Sequence, residues 1–306
     1  MKRLSLLQLL LPLALLLLGG SAAAGRSPRP SLAYHWPIKP FDRQHPVRGA
    51  FGDPRTRVRN RPFAATRPGA SGSFSFHNGV DIVAAPGTPV YPVVSGRVVR
   101  AGAHGIVVRS SHERAFLYWH LRDNVVLGEK VVAERTILGW IRKPFDHVHF
   151  AELDNHQVQN PLAVGHLEPY ADKTTPHAIA LRTDAGSLAI AAVDAPAMHV
   201  PGAVAPLPQA PALVEWRLRS GGAWSSWHIV ADFRHSVPMS SSFWAVYTAG
   251  THQNIPDRRI PGRYLFRTGL DPSRMAPGSY QLEARVADIR GNSSTTTWLL
   301  EILGRR

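Results

Sequence analysis

Apolar and β-branched residues recur along this chain in short runs, separated by glycine, proline, asparagine or aspartate, and helical periodicity is almost absent. Between residues 47 and 170 the runs at 89–100, 105–109, 116–121 and 136–141 read as strands of an antiparallel sheet protein. Within 116–121, strict alternation puts Phe116, Tyr118 and His120 on one face and Leu117, Trp119 and Leu121 on the other. With His120 at the site, the second set is expected to face the core. A second series of runs lies at 178–181, 187–193, 213–218, 243–247, 264–268, 280–287 and 295–302. About seven short strands predict a β-sandwich. The fold class expected is therefore all-β.

The ends and joins of these runs suggest the organisation. Lys2 and Arg3 precede an apolar run from Leu4 to Leu18 and the small residues Gly19 to Ala24. That pattern reads as a signal peptide over residues 1–24, with an Ala-x-Ala-like cleavage site near Ala24. The run is short of the roughly 20 apolar residues a membrane span needs, so no transmembrane anchor is expected after cleavage. Residues 25–46, with prolines at 28, 30, 37, 40 and 46, read as an extended lead-in with little regular structure. Two domains are expected, 47–170 and 174–304. Five prolines between 195 and 211 mark a long loop, or alternatively a linker.

Composition narrows the chemistry. The chain has 306 residues and no cysteine, which removes disulfides, cysteine zinc fingers and thiol nucleophiles and leaves histidine and carboxylate. Its formal charge is +14, of which Lys2 and Arg3 supply two. Nucleic acid would be the default partner of so basic a protein in the cytoplasm. Export points the charge instead toward anionic wall and envelope polymers, with nucleic acid not expected. Trp216, Trp224, Trp227 and Trp244 either fill a sandwich core, the commoner use of tryptophan, or form a sugar-binding face. Asn292-Ser293-Ser294 matches a glycosylation sequon but is accounted for by a hairpin turn.

Three segments carry candidate chemistry: His77-Asn78-Gly79-Val80-Asp81, His120, and His147-Val148-His149. Ligands of one metal need donor atoms about 3 Å apart and about 2 Å from the ion. In a strand His147 and His149 share a face, about 7 Å apart. His77 and Asp81 would lie about 13 Å apart if extended, but the turn dipeptide Asn78-Gly79 bends the chain and brings them together. Each string alone is weak evidence: with 15 histidines in 306 residues, a His-x-His pair is expected by chance roughly 0.7 times. The set that fits best is His77, Asp81 and one of the paired histidines. Three protein ligands leave a coordination position for an activated water. The other paired histidine and His120 are left to handle protons, since no His-Glu-x-x-His string supplies a glutamate base.

In order, Gly49-Ala50-Phe51-Gly52, Phe76 to Ile82, Ala84 to Val90, Gly96-Arg97-Val98, Tyr118 to Leu121, Val126-Leu127-Gly128, Ile137-Leu138-Gly139, His147 to Phe150 and Asn160-Pro161-Leu162 resemble the lysostaphin-type (LytM-like) zinc metallopeptidases. The resemblance covers about 120 residues. It implies an antiparallel fold of the duplicated hybrid motif type, one zinc per chain on His77, Asp81 and His149, and His120 and His147 as catalytic residues. It implies peptide cross-links of bacterial peptidoglycan as substrate. The family's glycine-, threonine- and serine-rich loop is replaced here by Trp140-Ile141-Arg142-Lys143-Pro144-Phe145-Asp146, so the cleaved bond is not transferred with the resemblance. A weaker resemblance, from Pro277 to Leu282 and Asp288 to Asn292, is to bacterial immunoglobulin-like domains, without their Cys-Trp-Cys hallmark. The leading reading is an exported zinc endopeptidase, periplasmic or wall-associated. The alternatives are an inactive relative that binds peptidoglycan or regulates another wall hydrolase, and an adhesion protein whose sandwich carries the function.

Overall fold

The computed structural model describes residues 33–59, 61–64, 67–110, 114–184, 186–202 and 207–304. The expected signal segment 1–24, part of the lead-in and residues 203–206 lie outside the described residues. In chain order the first strands are β1 (Val47–Gly49), β2 (Pro54–Val58), β3 (Arg61–Pro62), β4 (Ser73–Phe76), β5 (Val80–Val83), β6 (Pro89–Val90), β7 (Gly96–Arg100) and β8 (Ile106–Arg109). They continue as β9 (Arg114–Trp119), β10 (Leu121–Asp123), β11 (Lys130–Val131), β12 (Gly139–Ile141), β13 (His147–Asp154) and β14 (Gln157–Gln159). The second half adds β15 (His177–Asp184), β16 (Ser187–Val193), β17 (Leu213–Arg219), β18 (His228–Asp232), α1 (Phe243–Val246), β19 (Leu265–Arg267), β20 (Gly278–Ala287) and β21 (Ser293–Ile302). Every strand pair is antiparallel. The all-β expectation holds.

The largest sheet is ordered β1-β5-β13-β9-β8-β7-β11, with β14 hairpinned onto β13. Its core face is apolar: Val80 and Ile82 of β5, Val148 and Phe150 of β13, and Phe116 and Tyr118 of β9 are all fully buried. They join one core cluster with Val90 and Ile141 from the small sheet β10-β12-β6 and with Leu138 just before β12. The alternation in β9 is therefore opposite to the expectation. Phe116 and Tyr118 line the core, while Leu117 and Trp119 point to the other face, where Trp119 meets the His149 ring edge-on at 6.0 Å. His120 reaches that face because the strand ends at Trp119 and His120 turns into the left-handed region, φ 71°. A period-2 reading carried one residue past the strand end inverts every assignment.

The lead-in is part of the core. It has one isolated bridge, Tyr34 to Leu167, yet Tyr34, Trp36 and Ile38 are buried. Trp36 Nε1 donates to Pro169 O at 2.8 Å, and Tyr34 donates its hydroxyl to the buried Glu152. Burial alone would raise the Glu152 carboxyl, but His166, Arg114 and Tyr34 outweigh it and hold the group below the usual carboxylate range.

In the second half, β15-β16-β19 and β18-β17-β20-β21 form two sheets, bridged where Trp216 Nε1 donates to Thr268 O at 3.2 Å. The run 243–247 is a helical turn rather than a strand: its buried residues Phe243, Val246 and Tyr247 fall at i, i+3 and i+4. The seventh strand is β18 instead. The loop before β17 is docked, with Gln209 Nε2 donating to Val47 O and Ala210 N to Asp53 Oδ1, both at 2.8 Å. Trp224 and Trp227 lie under the guanidinium groups of Arg217, Arg219 and Arg285 at 4.5–4.7 Å. Trp244 packs on Phe74 at 4.9 Å.

Candidate metal centre

Sheet register brings the three segments together. Asp81 on β5 and His149 on β13 are direct cross-strand partners, and His147 pairs with Val83 one pleat further along. Opposed side chains of an antiparallel pair stand about 5 Å apart on one face, so Asp81 and His149 must meet. His77 enters from the turn before β5. Gly79 is required there for more than the bend, because a Cβ would stand 2.3 Å from Phe150 O and 2.9 Å from His149 Cε1.

The donor atoms His77 Nε2, His149 Nδ1 and Asp81 Oδ1 form a triangle with sides of 2.9, 3.2 and 3.2 Å. Donors about 2.0–2.1 Å from a tetrahedral zinc ion lie roughly 3.3 Å apart, so the triangle is of the right size. Its protons argue the same way. His77 Nδ1 donates to Ala50 O at 2.9 Å. Burial, then the nearby Arg55 guanidinium, pull the His77 pKa down to about 3, so the ring is neutral and Nε2 carries a lone pair. That lone pair faces an Asp81 carboxylate oxygen 3.2 Å away. Burial would raise the Asp81 carboxyl, but His77, His147 and Arg55 outweigh it and hold it well below its usual range. His149 can donate one proton to one of these two acceptors, never to both. Two acceptors facing each other at contact distance fit a cation between them.

Neighbouring groups hold the ring orientations. Arg55 Nη2 donates to Asp81 Oδ2 at 2.8 Å, in space that exists because residue 49 is glycine: a Cβ there would lie 2.7 Å from Asp81 Oδ2. Asp53 accepts from Ala50 N at 2.9 Å, and so steadies the residue whose carbonyl binds His77. Hydrogen bonds of this kind, made to the ligand groups from behind, fix the ring tautomer and orientation.

His147 and His120 sit beside the triangle. His147 Nε2 is 3.6 Å from Asp81 Oδ1, and its Nδ1 is 3.0 Å from Asp146 Oδ1, which also accepts from Arg48. His120 meets His147 edge-on at 4.8 Å and stacks on Phe145 at 3.8 Å with the rings 12° from parallel. Its buried Nδ1 has no hydrogen-bond partner, and burial, then His147, lower its pKa to about 3. All five sequence-derived positions therefore converge.

The supporting residues were not singled out from the sequence. Asp146 adjoins His147 in the chain but stood in a segment read as a departure from pattern. Arg48, Arg55 and the Ala50 carbonyl carry no local spacing signal, since each acts on a residue distant in sequence. Asp172, Asp194 and Asp288 form a second acidic group among the described residues.

Residues 75–161 match the family model described as Peptidase family M23. No curated protein matches the chain. Among solved structures, the catalytic domain of the antimicrobial peptidase lysostaphin from Staphylococcus simulans is 27% identical, over 35% of this chain and 88% of that one, with a TM-score of 0.26. The catalytic domain of the prophage-encoded M23 protein EnpA from Enterococcus faecalis, crystallised as a point mutant, is 26% identical over 38% and 96%, TM-score 0.26. A zinc-containing peptidase from Vibrio cholerae is 21% identical over 38% and 39%, TM-score 0.27. The segment that holds all five converging positions is thus the segment that matches the Peptidase family M23 model.

Proposed function

We propose that the chain is an exported zinc endopeptidase that hydrolyses peptide bonds of bacterial peptidoglycan. The observation that carries this reading is the triangle of His77 Nε2, His149 Nδ1 and Asp81 Oδ1, closed by two facing acceptors, within the segment that matches Peptidase family M23. These three residues would hold one zinc ion. Bound by three protein ligands, zinc polarises a carbonyl and acidifies a coordinated water.

The chain's own groups then divide the proton work. His147, oriented through Nδ1 by Asp146, presents Nε2 toward the centre and takes the proton of the attacking water. His120, neutral and lacking a partner at Nδ1, is placed to hydrogen-bond the developing oxyanion, and the proton taken up by His147 goes on to the leaving amine. Phe145 and Trp119 stack on the His120 ring and limit its rotation. The basic, aromatic segment before His147 thus supports both catalytic residues.

The expected export segment 1–24 supports an extracytoplasmic, wall-associated location, where the basic surface would meet anionic envelope polymers. For residues 174–304 the division of seven strands into sheets of three and four supports an immunoglobulin-like sandwich.

Metal analysis and wall digestion test the reading together. The purified chain is expected to carry about one zinc and to release new amines from intact sacculi, with chelator abolishing release and added zinc restoring it. Absence of co-purifying zinc together with unaltered sacculi refutes it. Zinc binding with no released amine would favour the inactive-relative alternative.

A further inference from the structure

Beyond the candidate metal centre, the solvent face of the large sheet continues as a cavity of about 460 Å³. The same alternation that presents His149 presents Ala151 and Leu153, and register sets Leu117 beside Ala151 and Val107 beside Leu117. These residues give the cavity an apolar floor. Asn78, next to His77, lines the cavity wall, and Arg100 and Arg109 close it. Among the described residues no carboxylate lines it, and neither guanidinium has a hydrogen bond or ion pair. Two guanidiniums with no counter-ion among the described residues give one end of this apolar floor a cationic character. A volume in this range holds a few peptide residues.

The register also sets the distance. Leu153 is four residues beyond His149 on β13, about 13 Å along the strand, and Arg109 lies level with it two strands across, about 10 Å further. An extended peptide leaving the metal centre along the diagonal, about 16 Å, reaches the guanidiniums about five residues from the bond at the centre.

We propose that this cavity is a specificity subsite for an acidic residue of the bound peptide, with Arg100 and Arg109 as the carboxylate-binding residues. It rests on the peptidase reading for the position of the scissile bond, and on the cavity alone for binding. Arginine suits the task because its planar fork pairs with a carboxylate through two parallel hydrogen bonds. The apolar floor takes the small or aliphatic side chains between the two ends.

The test walks one Glu, and in parallel one Gln, along a fluorescein-labelled, C-terminally amidated alanine hexapeptide. Binding is read by anisotropy with chelator present, so that nothing is cut. Glu at one favoured position is expected to tighten binding by about tenfold over Gln, with the gain falling as salt rises. The Arg100→Gln, Arg109→Gln double variant, checked for an unchanged melting temperature, is expected to bind both series equally. Equal binding of Glu and Gln peptides by the unaltered chain, or a preference that survives in the double variant, overturns the proposal. Cleavage then separates the two readings. Selective binding with no hydrolysis by the zinc-loaded chain counts against the peptidase and leaves the subsite standing. Hydrolysis of wall peptides with no binding preference removes the subsite and leaves the peptidase.

Discussion

The His77 ring is held at both nitrogens, with Nδ1 bound to Ala50 O and Nε2 facing His149 and Asp81. Replacing it with alanine removes one of three donors; bound zinc is expected to fall from about one per chain to less than about a tenth, read by mass spectrometry of metal content. Asp146→Ala should behave differently. It removes the partner of His147 Nδ1 but no donor of the triangle. Zinc content should stay unchanged while turnover falls roughly ten- to a hundredfold. Recovery with Asp146→Glu would distinguish orientation of His147 from a packing effect, and loss of zinc in Asp146→Ala would show the assignment to be wrong. At Gly79 the limit is steric. Gly79→Ala forces a methyl against Phe150 O and the His149 ring, and should cost about 1–3 kcal/mol in urea denaturation along with weakened zinc binding.

At the scale of elements, the lead-in strap and the turn between β1 and β2 do the positioning. Trp36 is fully buried and tied to Pro169 O. Trp36→Ala should therefore destabilise the chain by about 3–5 kcal/mol, a large part of a typical stability. A free extended tail would give no change in the urea midpoint. The β1–β2 turn holds His77 through the Ala50 carbonyl and is itself held from the second half, by Ala210 N on Asp53 and Tyr247 Oη on Gly52 O at 2.8 Å. A turn four residues long thus links the candidate centre to segments more than a hundred residues away in sequence.

For the molecule as a whole, one core cluster runs from Tyr34 to Val286, with Phe76 against Phe233 and Phe243 at 5.7 Å. The two expected domains therefore share packing. Stability also depends on a proton. Asp194 lies with Asp172 and Asp288, and burial, then the Asp172 charge, push its pKa up to about 8. The unfolded chain releases that proton near pH 4, the folded chain near 8. Between these values folding takes up a proton, so this group's contribution falls as pH rises and levels off above about 8. Asp194→Asn keeps an acceptor for Ala195 N, now 2.8 Å from the carboxylate, and has no proton to release. Melting curves from pH 4 to 8 should show the variant gaining on the parent as pH rises; parallel curves would contradict the raised pKa.

The local pattern by itself was enough for the β class, most strand positions and the five polar positions, because period-2 alternation, turn dipeptides and short ligand spacings are written within a few residues. Even there it failed where a local rule met a backbone exception: the left-handed His120 inverted the faces of β9, and the spacing of Phe243, Val246 and Tyr247 is helical over one turn only. Which paired histidine joins the triangle followed from a resemblance, and its placement needed the β5–β13 register. Arg55 on Asp81, Asp146 on His147, the buried strap and the cationic end of the groove were decided by tertiary structure alone. Apart from the adjacent pair Asp146 and His147, whose rotamers the fold sets, each is a contact between strands or loops distant in sequence, and only the closure of the sheets sets which of those segments become neighbours.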